Sequence, residues 1–275
     1  MNRKRIIFGI FILLLIVIVV MGYSDTNQFK VNEADFETDL IASGESLKII
    51  QISDLHNKVF ENNNEELVKT VDGLDGDIIV LTGDLIDRRT DELASVFDLV
   101  NALTSINKHV YFVSGNHEWD NPNFKALLRG LRERDVVILD NKNTSITRNG
   151  VSINLVGVAD YSTDHHDLKA AFEGIGNDQF TVLLSHAPGI VESPQNTANL
   201  TLSGHTHGGQ VRLPFIGAVV APGQGFFPKY DQGVFELTSE QHLYIDSGLG
   251  TSMLPVRFLN QSQFSLITIK GKDAR

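Results

Sequence analysis

Three features of this 275-residue sequence predict an α/β body behind one apolar N-terminal helix. First, apolar runs of strand length, most of them rich in Val and Ile, recur at 47–52, 77–81, 109–113, 136–139, 151–158 and 180–184. Runs of this length and composition are typical of buried strands. Second, apolar residues spaced three and four apart fill the gaps at 65–71, 91–106 and 123–134, and an alternation of strand and helix builds a largely parallel sheet. Third, beyond Leu200 the helical patterns stop and shorter strands are indicated near Val211, Val234, Leu243 and Ser265. Six of the seven prolines lie at or beyond Pro188, so the second half is expected to be loop-rich and more antiparallel. No repeat, low-complexity tract or linker interrupts 47–275, which reads as one globular domain.

The N-terminus reads as an address and an anchor. Arg3, Lys4 and Arg5 precede an uncharged run over 6–24, of which 6–21 is apolar apart from Gly9. Nineteen residues at helical rise span roughly 28 Å, close to the ~30 Å hydrocarbon core of a bilayer. The run is longer than the ~7–15 apolar residues of a cleaved signal, and no small-x-small site follows Met21. Residues 1–24 are therefore expected to be a basic tail and an uncleaved, single-pass anchor. Basic residues on the short side stay cytoplasmic, which puts the rest of the chain outside the cytoplasm. Residues 25–46 are polar and loosely patterned and read as a stalk, with a short strand near 36–41.

Charge and composition exclude several function classes. Of 23 basic and 34 acidic residues, three basic ones fall in the first 23 positions, which leaves 24–275 at a formal −14. Such a body repels a phosphate backbone, so no bulk nucleic-acid binding is expected. The absence of cysteine removes disulfides, thiolate metal ligands, a Cys nucleophile and a lipoprotein anchor.

The chemistry-bearing residues gather where predicted strands end. Asp54 and His56 follow the first, Asp84 and Asp87 the second, Asn116, His117 and Glu118 the third, and His186, His205 and His207 the later ones. Ligands of open α/β sheets collect at such ends. In Asp54-x-His56 and His205-x-His207 a spacing of two would put both side chains on one side of an extended segment. Carboxylate, imidazole and amide donors without sulfur suit Mn, Fe or Zn. Their number exceeds what one ion takes, and two ions fit.

The set D-x-H, G-D-x-x-D, G-N-H-E, a lone His and G-H-x-H, in that order from Asp54 to His207, resembles the calcineurin-like metallophosphoesterases. The continuation His205, Thr206, His207, Gly208, Gly209, Gln210, with the segments 247–250 and 255–258, is similar to a bacterial branch of exported or membrane-anchored phosphodiesterases. The resemblance implies a four-layer sandwich, two packed mixed β-sheets flanked by helices. It implies one divalent ion on Asp54, His56 and His207, a second on Asn116, His186 and His205, and Asp84 bridging both. A metal-held hydroxide would then attack phosphorus in line with the leaving group. His117 would stand off from the ions and hydrogen-bond a phosphoryl oxygen or protonate the leaving alkoxide. Asp87 would orient His117 or, on the residue reading alone, cap a helix.

Arg88 is a candidate for binding substrate phosphate, ahead of Arg89 and Arg257. Glu118 is expected to support its loop, His109 and His242 to be structural, and His165 and His166 to be solvated. Residues 208–233 hold six glycines and three prolines and read as a lid or substrate wall, with Phe215, Phe226 and Phe227 packed on the body rather than touching lipid. The chain is thus expected to be a membrane-anchored extracytoplasmic phosphodiesterase. Its location makes lipid head groups, wall polymers or secreted nucleotides accessible substrates. The alternatives are a pyrophosphatase acting on nucleotide- or lipid-linked sugars and a non-catalytic metal-containing module that binds the envelope.

Overall fold

The computed structural model describes residues 3–252 and 254–273; the outermost residues of the anchor and domain readings, 1–2 and 274–275, lie outside them. Helix α1 (Arg3–Asn27) is long and apolar enough to cross a membrane, and its apolar side chains are exposed. The body begins at its end without a stalk. Residues 25–46 correct the sequence reading: β1 (Phe29–Ser43) is an ordered edge strand that runs parallel to the last strand of the chain. Its alternation of Phe36, Thr38 and exposed acidic residues is the period of two expected of a half-buried edge, masked in the sequence by its polarity.

The first sheet contains β1, β2 (Ser46–Ile52), β3 (Ile78–Leu81), β4 (Val110–Phe112) and β5 (Val137–Ile138). Helices α2 (Glu65–Gly73), α3 (Ala94–Ile106), α4 (Asn116–Asp120) and α5 (Phe124–Arg132) lie in its crossovers. The pattern over 91–106 starts three residues too early, because Leu93 is the N-cap of α3. The second sheet is built from β6 (Lys142–Arg148), β7 (Val151–Gly157), then, after the short α6 (Leu168–Ala171), β8 (Phe180–Leu184) and β9 (Leu200–Ser203). Two small hairpins follow, β10 (Arg212–Leu213) with β11 (Gly217–Ala218) and β12 (Val220–Ala221) with β13 (Gly225–Phe226). Then β14 (Gly233–Glu236) and β15 (His242–Ile245) complete the second sheet, and β16 (Ser262–Gly271) returns to the first. The orders are β1-β16-β2-β3-β4-β5 and β14-β15-β9-β8-β7-β6. The second sheet is mixed rather than mainly antiparallel, since β7-β8-β9-β15 all run parallel.

Side-chain alternation assigns the faces. Ile49, Val80, Tyr111 and Ile267 meet Leu155, Val182, Leu184 and Leu202 between the sheets. Their neighbours Ile50, Ile79, Leu81 and Phe112 turn to α2, α3 and α5 through Leu67, Val100, Leu103 and Leu127. On the far side Val156 and Leu183 are covered by Leu168 and Ile190. The result is a four-layer sandwich in which β2, β3, β4, β8 and β9 end along one common edge.

Candidate metal centre

The loops leaving those five strands hold the predicted ligands, and backbone conformation aims them. Asp54, His56, Asp84, His205 and His207 all have positive φ, between 47° and 71°. This region costs an L-residue of order 1 kcal/mol or more and persists where the surroundings enforce it. Asp54-x-His56 and His205-x-His207 are therefore not extended pairs, as their spacing suggested. They converge through left-handed kinks. Two glycines make the approach feasible: a Cβ on Gly83 (φ 86°) would lie 2.7 Å from His186 Nδ1, and one on Gly204 would collide with Ser53 Oγ and Asp54 Oδ2.

Two groups of donor atoms share one carboxylate oxygen. His56 Nε2 lies 3.1 Å from His207 Nε2, which is 3.4 Å from Asp54 Oδ1. His186 Nε2 lies 3.1 Å from His205 Nδ1. Asp84 Oδ2 stands 3.6 Å from His56 Nε2 and 3.2 Å from His186 Nε2, so it faces both groups. Asp54, His56 and His207 lie within 4.8 Å of one another, as do Asp84, His186 and His205. Asn116 follows Gly115, whose Cα region abuts Asp84 and His186, and its buried Oδ1 has no hydrogen-bond partner. His186 Nδ1 donates to the Thr82 carbonyl at 2.8 Å, which fixes the tautomer and leaves Nε2 as the donor toward the cluster.

The electrostatics favour added positive charge. Burial pushes the Asp54 carboxyl up to about 6 and that of Glu118 up to about 8, in both cases aided by the Asp84 charge. Burial would raise Asp84 too, but the charge and hydrogen bond of His186, with His56 and His117, hold it well below the usual range. Burial also lowers His56 to about 3, His205 to about 4 and His207 well below its ordinary value. For His186 the burial effect is overturned by Asp84, with Asp54 and Asp160 adding to it, and its imidazole is raised well above. Neutral imidazoles beside ionised carboxylates are the forms that bind a divalent cation, so His56, His205 and His207 already stand in that form, whereas His186 has to release its proton to a bound ion. The orphaned Asn116 Oδ1 and the facing imidazole nitrogens at 3.1 Å both fit two ions. Stripping them with chelator is expected to cost about 4 kcal/mol per ion, about 8 kcal/mol for the pair, if each is held at a thousandfold above Kd. At ~2–4 °C per kcal/mol this lowers Tm by roughly 20 °C, and calorimetry with and without EDTA checks it; an unchanged Tm would count against metal occupancy.

The remaining predicted residues are placed as follows. His117 Nε2 is 3.9 Å from Asp84 Oδ2, its ring lies edge-on to His56 at 4.6 Å, and its Nδ1 has no partner. It thus reaches nearer the ligand cluster than its sequence position beside Asn116 suggested. Asp87 makes neither a helix cap nor a hydrogen bond to His117. Its Oδ1 accepts from the Arg89 amide at 2.6 Å, while its charge still acts on His117. Arg88 is half exposed, pairs through Nε with Asp120 at 2.7 Å and lies close enough to lower His117 by its charge. Glu118 is fully buried and accepts the amides of Asp84, Gly115 and Ile86 at 2.8, 2.8 and 3.2 Å. Each orphaned buried amide costs ~1–3 kcal/mol, so Glu118→Ala is expected to destabilise the fold by about 3 kcal/mol or more. Urea denaturation measures this, and a loss under about 1 kcal/mol would deny Glu118 that bracing role.

Three residues around the cluster were not singled out, or were misplaced, by sequence reasoning. Arg257 is fully buried rather than exposed, with Nε and Nη2 donating to the Gly250 carbonyl at 3.0 and 2.7 Å and Nη2 to that of Ser247 at 2.5 Å. That loop in turn donates from Leu249 and Gly250 to the carbonyls of Ser53 and Asp54, so Arg257 braces Asp54 from behind. Asp246 is buried, accepts from Gly248 N at 2.6 Å and is pushed up to about 7 by burial. Asp160, three residues beyond β7, is buried with one oxygen unpartnered, and its charge raises His186. The available signal for Asp160 was an acidic residue closing the apolar stretch that follows an apolar strand. His165 is not simply solvated, since it stacks on Trp119 at 3.5 Å. His242 packs against Phe36.

A family model for calcineurin-like phosphoesterases matches residues 47–209, more than half of the chain, and spans every residue of the cluster. The chain belongs to that family. It is 27% identical to an uncharacterized metallophosphoesterase, YkuE, of Bacillus subtilis, over 99% of both chains. It is 30% identical to a bovine transmembrane protein with a metallophosphoesterase domain, over 82% of this chain and 53% of that one. Among solved structures it resembles the NAD nucleotidase NadN of Haemophilus influenzae, with 15% identity, a TM-score of 0.49, and coverage of 76% of this chain and 46% of that one. Family and donor set together make this phosphoesterase metal-dependent, with a site fit for a pair of divalent ions.

Proposed function

We propose that the protein is a membrane-anchored, extracytoplasmic phosphodiesterase using two ions drawn from Mn, Fe or Zn. The observation that carries the reading is Asp84 Oδ2, within 3.9 Å of His56, His117 and His186: one carboxylate joins both donor groups to a candidate proton donor. Asp54, His56 and His207 would hold one ion and Asn116, His186 and His205 the other. When bound, the pair supplies Lewis acidity and an activated water.

The chain's own residues do the rest. His117, only 12% exposed in its side chain, stands where it can hydrogen-bond a phosphoryl oxygen or deliver a proton to the leaving oxygen. Asp87 acts on His117 by charge alone, favouring its protonated form. Arg88, at the exposed margin, meets the remaining phosphate charge by exchanging its Asp120 partner. The bovine transmembrane relative and the exposed apolar α1 support a membrane location, and the basic residues before α1 support an extracytoplasmic body. The substrate is then a phosphodiester of lipid or envelope origin. The test is turnover of an aryl phosphodiester against the matching monoester by metal-reconstituted enzyme. A preference for the diester is expected, and a preference for the monoester would overturn that part of the reading.

A further inference from the structure

Outside α1, thirteen large apolar side chains are exposed among the described residues, and nine of them fall in 213–227 and 254–259. Phe215 is 109% exposed, Phe226 75% and Phe227 69%. They do not pack on the body, contrary to the sequence reading. The two segments are one surface: Phe258 bridges to Val211, Arg212 N donates to the Phe258 carbonyl at 3.0 Å, and Gln210 Nε2 donates to that of Leu254 at 2.6 Å.

The same surface receives the end of α1. A Cβ on Gly22 would lie 3.3 Å from Val256 Cγ2, and Gly22 comes one residue after Met21, the last of the apolar run. Just beyond, Arg257 N donates to Thr26 Oγ1 at 2.8 Å, Ser262 Oγ to the Thr26 carbonyl at 3.2 Å and Asn260 N to Asp25 at 3.3 Å. Lys58 Nζ also donates to the Thr26 carbonyl. The anchor is thus fastened to the body with no tether between them. Val256 is held at the level where an α1 that spans a bilayer leaves the hydrocarbon, inside the interfacial zone ~5–8 Å deep.

We infer that the hairpins 212–226 and the segment 254–259 dock into the outer interface of the bilayer that α1 crosses, with Phe215, Phe226 and Phe227 inserted among the lipids. A contiguous apolar patch marks an interaction site, and aromatic and aliphatic side chains are what partition into this zone. The body's formal −14 opposes an electrostatic attachment to an anionic leaflet, which leaves apolar insertion as the attractive term. The docked face adjoins the metal cluster. A Cβ on Gly223, at the turn between β12 and β13, would be 3.6 Å from His205 Nε2, and Asn260 Nδ2 donates to the His207 carbonyl at 2.6 Å. Docking therefore opens the cluster at the depth of lipid head groups, and phosphodiesters presented there are the ones within reach. This inference rests on the membrane-anchored reading above.

The chain has no cysteine, so Phe215→Cys, Phe226→Cys and, as a control on the far body, Val137→Cys each give a unique labelling site in the full-length protein. Spin labels on these variants, reconstituted in phosphatidylcholine–phosphatidylglycerol vesicles, report exposure to an aqueous paramagnetic quencher and to oxygen. The expected result is loss of aqueous accessibility and gain of oxygen accessibility at 215 and 226, with 137 remaining aqueous. Protein that floats with the vesicles but keeps 215 and 226 as aqueous as 137 overturns the docking and leaves the anchor standing. Protein that fails to float removes the anchor and the docking with it. Shielding that grows with protein-to-lipid ratio and brings spin–spin broadening would assign the face to a second copy of the chain and overturn the inference.

Discussion

Asp84→Asn is expected to lower turnover about a thousandfold and to reduce the bound metal below two ions per chain. The substitution keeps shape, and an amide Oδ1 can still accept the His117 amide that Asp84 holds at 3.0 Å. What it removes is the negative charge that faces both donor groups, where Oδ2 stands 3.2 Å from His186 and 3.6 Å from His56. A metal pair contributes several kcal/mol of transition-state stabilisation, and about 4 kcal/mol corresponds to three decades in rate. Metal analysis by mass spectrometry, run beside the kinetics and circular dichroism, separates loss of an ion from loss of fold. Two tightly bound ions and near-normal turnover in Asp84→Asn would show that the shared carboxylate does not hold the ion pair.

The second large effect belongs to His117. His117→Ala is expected to lose about 10²–10⁴ in kcat while retaining both ions, because Asp54, His56 and His207 form one donor group and Asp84, His186 and His205 another without it, although His117 also forms a third group with His56 and Asp84. The loss should be smaller for an aryl diester, whose leaving group departs without a proton, than for an alkyl diester, whose alkoxide needs one. Burial lowers the His117 imidazole against the upward pull of Asp84 and Asp87. If both diesters fall equally, His117 binds the phosphoryl group and does not protonate the leaving oxygen. Loss of an ion in His117→Ala would instead make it a ligand.

The parts of the fold readable in the sequence were those written in apolar periodicity. Strands β2, β3, β4, β7 and β8 are largely buried on both faces, so they appear as predominantly apolar runs. Strand β1 was read only over 36–41 and its remainder as a polar stalk, because its one buried face alternates with Lys, Glu and Asp. Strand β6 escaped for a similar reason, with Ile146 as its single buried residue. Short motifs carried the ligand set, since Asp and His at fixed spacing survive any uncertainty about secondary structure. How the pairs converge was not legible: spacing says nothing of the positive φ at Asp54, His56, His205 and His207. Nor could composition show that Arg257, 203 positions from Asp54, is buried behind it. That contact exists only once β16 returns to β2.

On the proposed function, hydrolysis of a phosphodiester requires two ions on this cluster. The most direct test titrates metal-free, full-length protein with Mn(II) while following hydrolysis of an aryl phosphodiester and counting bound metal in the same samples. Turnover that is absent without metal and reaches its plateau when two ions per chain are bound is the predicted result. Two bound ions with no hydrolysis of any diester or monoester offered, or full hydrolysis by the metal-free protein, would contradict it.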